Sequence, residues 1–175
     1  VSEIKLVFTG SLGAGKTTAI STISEIPVIN TDVATTDKAA QRKEMTTVAL
    51  DYGELSLDET QKLKLYGTPG QERFEYMWPI LIKGALGLII LVDHASADPL
   101  SDLALFVRYF KPYIEETATV IGVTRTDLGV EHNMQAYHDY LQKQDLQLPV
   151  FTIDARNREH VIIMIQALTA MVEFA

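Results

Sequence analysis

An α/β fold built on a mostly parallel six-stranded sheet, with one antiparallel strand and about five helices, is predicted by three features of the sequence. Short apolar runs alternate with helix-spaced runs along the chain, the pattern of strand–helix–strand units. Two strand-like runs, Thr47 to Leu57 and Gln61 to Tyr66, are joined by the turn-rich Asp58-Glu59-Thr60 and read as an antiparallel hairpin. A glycine-rich loop stands between the first strand and the first helix. At 175 residues the chain fits one domain, 1–175.

The elements follow in order. Ile4 to Thr9 is β-branched-rich and stops at Gly10, as a strand ending in a turn does. Lys16 to Ile26 has helical spacing and ends before Pro27. Val28 to Met45 is polar and without period, so it reads as a long loop, a feature that is usually functional. After the hairpin, Gly67 to Gly70 is a second loop and Glu72 to Lys83 a helix interrupted by Pro79. Leu86 to Val92 is continuously apolar, as expected of a strand covered on both faces. Asp98-Pro99 opens a helix to about Glu116, and Ala118 to Val123 is the next strand. A helix from Asn133 to Gln144, a short strand from Val150 to Ile153 and a final helix from Arg158 to Phe174 complete the reading.

Composition excludes several classes. Lys+Arg 15 against Asp+Glu 23 leaves a net charge of −8, against the basic face of a nucleic-acid binder. Cysteine is absent, which removes disulfides, thiolate zinc sites, thiol catalysis and cysteine-linked lipid anchors; a reducing, cytoplasmic setting is expected. The apolar runs Ala85 to Val92 and Val161 to Val172 fall short of the roughly 20 residues of a spanning helix. His94, His132, His138 and His160 lack metal-ligand spacing.

Gly10-Ser11-Leu12-Gly13-Ala14-Gly15-Lys16-Thr17 matches G-x-x-x-x-G-K-[ST] in full, between a predicted strand and a predicted helix. Its glycines let backbone N–H groups curl around phosphate oxygens, and the helix N-terminus adds partial positive charge. Lys16 is a point charge for the outer phosphates, the hydroxyl of Thr17 suits Mg²⁺, and Thr18 is expected with the loop among the nucleotide-binding residues. Further along stand Gly67-Thr68-Pro69-Gly70-Gln71-Glu72-Arg73-Phe74, Thr124-Arg125-Thr126-Asp127 and Asp154-Ala155-Arg156, each after a predicted strand.

This ordered set resembles the Ras-like small GTPases over nearly the whole chain. Gly70 to Phe74 stands as in the Rab branch, and Thr47-Val48-Ala49-Leu50-Asp51-Tyr52 looks like the effector-loop threonine and its following strand. Thr124 to Asp127 is similar to N/T-K-x-D with Arg for Lys, and Asp154-Ala155-Arg156 to S-A-K. The family's D-x-x-G aspartate is replaced by Gly67, and Pro69 precedes Gly70, wording similar to bacterial MglA-related GTPases encoded with roadblock-type proteins.

The resemblance implies a guanine-nucleotide switch that takes GTP and GDP with Mg²⁺, hydrolyses GTP slowly and signals through loops 28–47 and 67–79. Asp127 would accept from the two N–H groups of a guanine edge, Arg125 would lie over the base, and the Ala155 N–H would reach the guanine carbonyl. Thr17 and Thr47 would ligate Mg²⁺, with Thr46 an alternative to the latter. Gln71 would orient the attacking water, and the Gly70 N–H would sense the γ-phosphate. Leu12 would stand close to that phosphate and obstruct an arginine delivered in trans, with Arg42 a cis substitute. Thr68 or Asp93 would replace the lost aspartate. Phe74, Tyr76, Met77 and Trp78 would anchor an effector or activating protein, roadblock-type by resemblance. Two other readings stand beside this one: a non-hydrolysing nucleotide-binding scaffold, and a phosphate-loop kinase for a small acceptor, which would leave the guanine motifs unexplained.

Overall fold

The computed structural model describes residues 2–36, 45–70, 72–128 and 134–173. In chain order they form β1 (Ser2–Gly10), α1 (Lys16–Ile23), β2 (Ile29–Thr36), β3 (Met45–Ser56) and β4 (Gln61–Gly67). A 3₁₀ turn (Glu72–Met77) leads into α2 (Trp78–Ile82), β5 (Gly87–Asp93), α3 (Pro99–Glu116), β6 (Ala118–Thr124), α4 (Met134–Lys143), β7 (Val150–Thr152) and α5 (Arg158–Glu173).

The strands make one seven-stranded sheet in the order β2-β3-β4-β1-β5-β6-β7. β4, β1, β5, β6 and β7 are mutually parallel, and β3 runs against both β2 and β4. The single antiparallel strand is therefore as expected, but the sheet has seven strands rather than six. The extra one is β2, which takes up residues 29–36 of the segment read as a loop over 28–47 and pairs from Ile29↔Tyr52 to Thr36↔Met45. Its sequence, INTDVATT, is that of a polar edge strand, which needs no apolar run because only one side of it meets the sheet.

β1 lies at the centre, and its alternation divides the core. Leu6 and Phe8 join Leu63, Leu65, Ile89 and Leu91 under α1 and α5, where Ile20, Ile23, Met164 and Leu168 are buried. Val7 joins Leu88, Ile90, Val92, Ile121 and Val123 on the other face, under Trp78, Phe106, Phe110, Tyr137 and Leu141. The continuously apolar β5 reads that way because both of its faces are covered. α3 starts where expected: the Asp98 side chain accepts from the Ser101 N–H at 3.1 Å, with Pro99 in the first turn. Pro79 likewise begins α2 instead of interrupting a longer helix.

Two of the residues assigned to a partner surface belong to the core. Trp78 is fully buried, stacked on Phe106 and Phe110 at centroid distances of 4.9 and 5.6 Å and edge-on to Tyr109 at 4.8 Å, and Met77 is buried with it. Aromatic density after Gln71 marked burial because the short 3₁₀ turn and α2 must fix the loop to the sheet. The Trp78 Nε1–H also donates to the Pro69 carbonyl at 2.9 Å. Trp78→Phe, which keeps the stacking but loses this bond and some buried area, is expected to cost about 1 to 2 kcal/mol, read by chemical denaturation.

Candidate functional site

The site lies at the carboxyl ends of the parallel strands, where open α/β sheets bind ligands. β1 delivers the glycine-rich loop. Gly10 takes a φ of 143°, and a Cβ there would run into the Leu91 carbonyl, so the strand can turn only at a glycine. Gly15, with φ 104°, opens α1, and no side chain caps that helix, so its first N–H groups are the kind a phosphate satisfies. Lys16 is buried and donates to the Gly10 carbonyl and, at 2.8 Å, to the Ser11 carbonyl. Burial pulls its ammonium down to about 8, opposed by the nearby Asp51 charge. The Thr17 hydroxyl donates to the Asp51 carboxylate on β3. The Leu12 side chain is 71% exposed, pointing out from the loop.

β4 delivers the second loop onto the first. A Cβ at Gly70 would fall 2.5 Å from the Leu12 nitrogen and 2.8 Å from the Lys16 Nζ, so glycine is what allows the contact. Thr68 is buried, its hydroxyl 2.8 Å from that of Thr9. Gln71 and Arg42 lie outside the described residues, as do the side chains of Thr46, Thr47 and Phe74. The Thr47 backbone is paired with Ala34 inside the β2–β3 ladder, so it is a strand residue rather than the end of a loop.

On the far side of the loop is a cavity of about 550 Å³ lined by Ala14, Gly15, Thr18, Thr124, Arg125 and Asp127, and by the Asp154, Ala155 and Arg156 turn. Three motifs far apart in sequence therefore share one cavity. The buried Thr124 hydroxyl lies 3.0 Å from the Ala14 carbonyl and 3.2 Å from that of Val92, fastening the glycine-rich loop to β6. Arg125 has a φ of 54° and pairs with Asp93 at 3.4 Å. That contact draws it to the end of β5, on the lining of the same cavity. Arg156 clamps Asp154 in a fork, Nε and Nη2 at 3.0 and 2.9 Å, and these bonds hold the Asp154 carboxyl down to about 2. His160, absent from the expected set, also lines the cavity, and its Nδ1 accepts from the Asp154 N–H at 2.9 Å.

Asp93 accepts from the Ala95 N–H at 2.9 Å, as a turn residue does. Among the described residues no group of three or more acidic, His or Cys side chains forms a metal cluster, and no helix is long and apolar enough to cross a membrane. The hard oxygen donors at the loop, the Thr17 hydroxyl and the Asp51 carboxylate, suit Mg²⁺ in company with phosphate oxygens.

A strand–loop–helix phosphate cradle beside a cavity built by the next strand ends defines a P-loop nucleotide-binding protein. Comparison with known proteins agrees. A family model described as conserved hypothetical ATP binding protein matches residues 27–174, and the chain belongs to that family. An uncharacterized protein of Methanocaldococcus jannaschii is 34% identical over 140 residues, covering 78% of this chain and 79% of its own length. Ras-related protein Rab-13 of Canis lupus familiaris is 28% identical over 147 residues, with 82% of this chain and 64% of that protein covered. Ras-related protein Rab-7b of Mus musculus is 24% identical over 165 residues, 91% of this chain and 77% of that protein. These Ras-related likenesses fit the P-loop NTPase fold seen here.

Proposed function

We propose that the chain, over 1–175, is one guanine-nucleotide-binding switch domain that takes GTP and GDP with Mg²⁺ and hydrolyses GTP slowly. The observation that carries this reading is the shared cavity: Asp127 stands on its rim with Thr124, Ala155 and the glycine-rich loop around the same space. A carboxylate there matches the paired N–H donors of a guanine edge, while adenine offers no such pair. The Ala155 N–H would serve the guanine carbonyl, and Lys16, Gly13 and Gly15 the phosphates. Thr17 and Thr47 would hold Mg²⁺, whose chemistry when bound is neutralisation of the phosphate charge. Gln71 would orient the attacking water, with the Gly70 N–H facing the γ-phosphate.

Segments 28–47 and 67–79, which hold β2 and the 3₁₀ turn, would carry the signal to an effector or activating protein. The resemblance of Tyr66 to Phe74 to MglA-related GTPases is what supports a roadblock-type partner and a place in that branch. A second reading, adenine-nucleotide binding, is favoured by the description of the matching family. A competition titration of GTP against ATP, followed by single-turnover hydrolysis, separates the two. GTP is expected to win, and equal affinity for ATP overturns the switch as a guanine device.

A further inference from the structure

We propose that Asp51 on β3 supplies, from the neighbouring strand, the magnesium-anchoring carboxylate that position 67 on β4 lacks. The inference rests on the nucleotide-with-metal part of the reading above and not on which base is bound.

Asp51 and Gly67 are directly opposite each other in the β3–β4 pair. Side chains of such opposed residues share one face of the sheet. A Cβ placed on Gly67 would lie 3.2 Å from the Asp51 Cβ and 3.4 Å from its Oδ2, with Ile20 Cδ1 at 3.1 Å. The Asp51 side chain therefore takes the space into which a residue at 67 would project. Its Oδ2 accepts from the Thr17 hydroxyl, the group at the end of the glycine-rich loop that suits the metal. Its charge is also felt at Lys16. One carboxylate, one hydroxyl and the phosphate ammonium are thus gathered at one point.

The Thr68 hydroxyl and the Asp93 carboxylate are committed elsewhere. The Thr68 hydroxyl is buried against Thr9 at 2.8 Å. Asp93 holds the turn after β5 and faces Arg125 at 3.4 Å. A small Gly67 and an acidic Asp51 form one unit: a side chain at 67 would crowd the carboxylate that replaces it.

The test uses the whole chain loaded with a fluorescent GDP, or ADP should the base reading fail, with release followed across a titration of free Mg²⁺. Asp51→Asn is expected to raise the Mg²⁺ concentration that half-retains the nucleotide by about 10- to 100-fold, the usual cost of losing a group that orients a metal's ligands. Affinity in excess chelator should stay the same or rise, since a negative charge beside the phosphates has gone. Asp93→Asn should leave the Mg²⁺ midpoint in place. The double variant Asp51→Ala with Gly67→Asp, which returns the carboxylate to β4, should move the midpoint back toward the parent. If that variant does not fold, Asp51→Asn decides. An unmoved midpoint in Asp51→Asn overturns the proposal. So does a loss of chelator affinity by the same factor, which would mark a purely structural role. A parent chain that retains neither nucleotide at any Mg²⁺ concentration overturns the nucleotide reading itself.

Discussion

Asp127→Asn is expected to weaken GDP binding by about 10³- to 10⁴-fold, because a site built to accept two hydrogen bonds is left with one acceptor and an opposed donor. The same change should admit xanthine nucleotides, whose 2-oxo group accepts where guanine donates, and it should leave ATP binding as it was. The structure gives the carboxylate room for this role. Asp127 lines the cavity, and Arg156, whose guanidinium feels the Asp127 charge, is already clamped to Asp154 by two bonds of 3.0 and 2.9 Å. A competition titration of GDP, XDP and ADP on parent and variant reads all three outcomes together. Loss of GDP and ADP in equal measure would show that Asp127 shapes the turn instead of reading the base.

The second large effect concerns Lys16, whose burial brings it down to about 8 in the ligand-free chain. The sign follows from linkage. An unfolded lysine keeps its proton to about 10.5, so between pH 8 and 10.5 the unfolded chain binds more protons and the ligand-free fold gains stability as pH rises. The drop from 10.5 to 8 corresponds to about 3 kcal/mol, felt in full below pH 8. Phosphates beside Lys16 favour the charged form, so nucleotide binding takes up a proton above pH 8. Affinity should then fall by up to about tenfold per pH unit, the limit for a single coupled proton. Lys16→Met removes the buried charge and with it the phosphate contacts. Nucleotide affinity should fall by at least about 10²-fold, since charge-assisted bonds contribute roughly 1.5 to 3 kcal/mol each. The ligand-free variant should be no less stable than the parent, as expected where a site stores cost for function. Calorimetric titration and chemical denaturation, each at neutral and alkaline pH, check both halves.

The parts of the molecule legible in the sequence were those written in local spacing. Gly10 to Thr17 declares its turn and its helix within eight adjacent positions, and the structure places it between β1 and α1. The Asp98-Pro99 start of α3 and the apolar run of β5 were legible for the same reason. β2 was not, because an edge strand rich in Thr carries neither a clear period nor an apolar run; its evidence is the pairing with β3. Trp78 and Met77 were misassigned because an aromatic cluster says nothing of which side faces the sheet. The position of Asp51 beside Thr17 was hidden most deeply. It depends on the register of β3 against β4, and register is a relation between two strands that no single stretch of sequence states. The cue in hindsight was paired: a glycine where a carboxylate was expected, and a carboxylate on the preceding strand.

The protein has one tryptophan, and its indole N–H is bonded to the carbonyl of Pro69, the residue before Gly70. The ring is held from behind by Phe106 and Phe110. A lone indole fixed on one side to the core and on the other to the loop that touches the glycine-rich cradle acts as a built-in optical gauge. Whatever displaces Pro69 breaks the indole's hydrogen bond and shifts its emission, while the rest of the chain contributes no competing indole signal. Occupancy of the cradle and the kinetics of the loop can therefore be followed by light on the unlabelled protein.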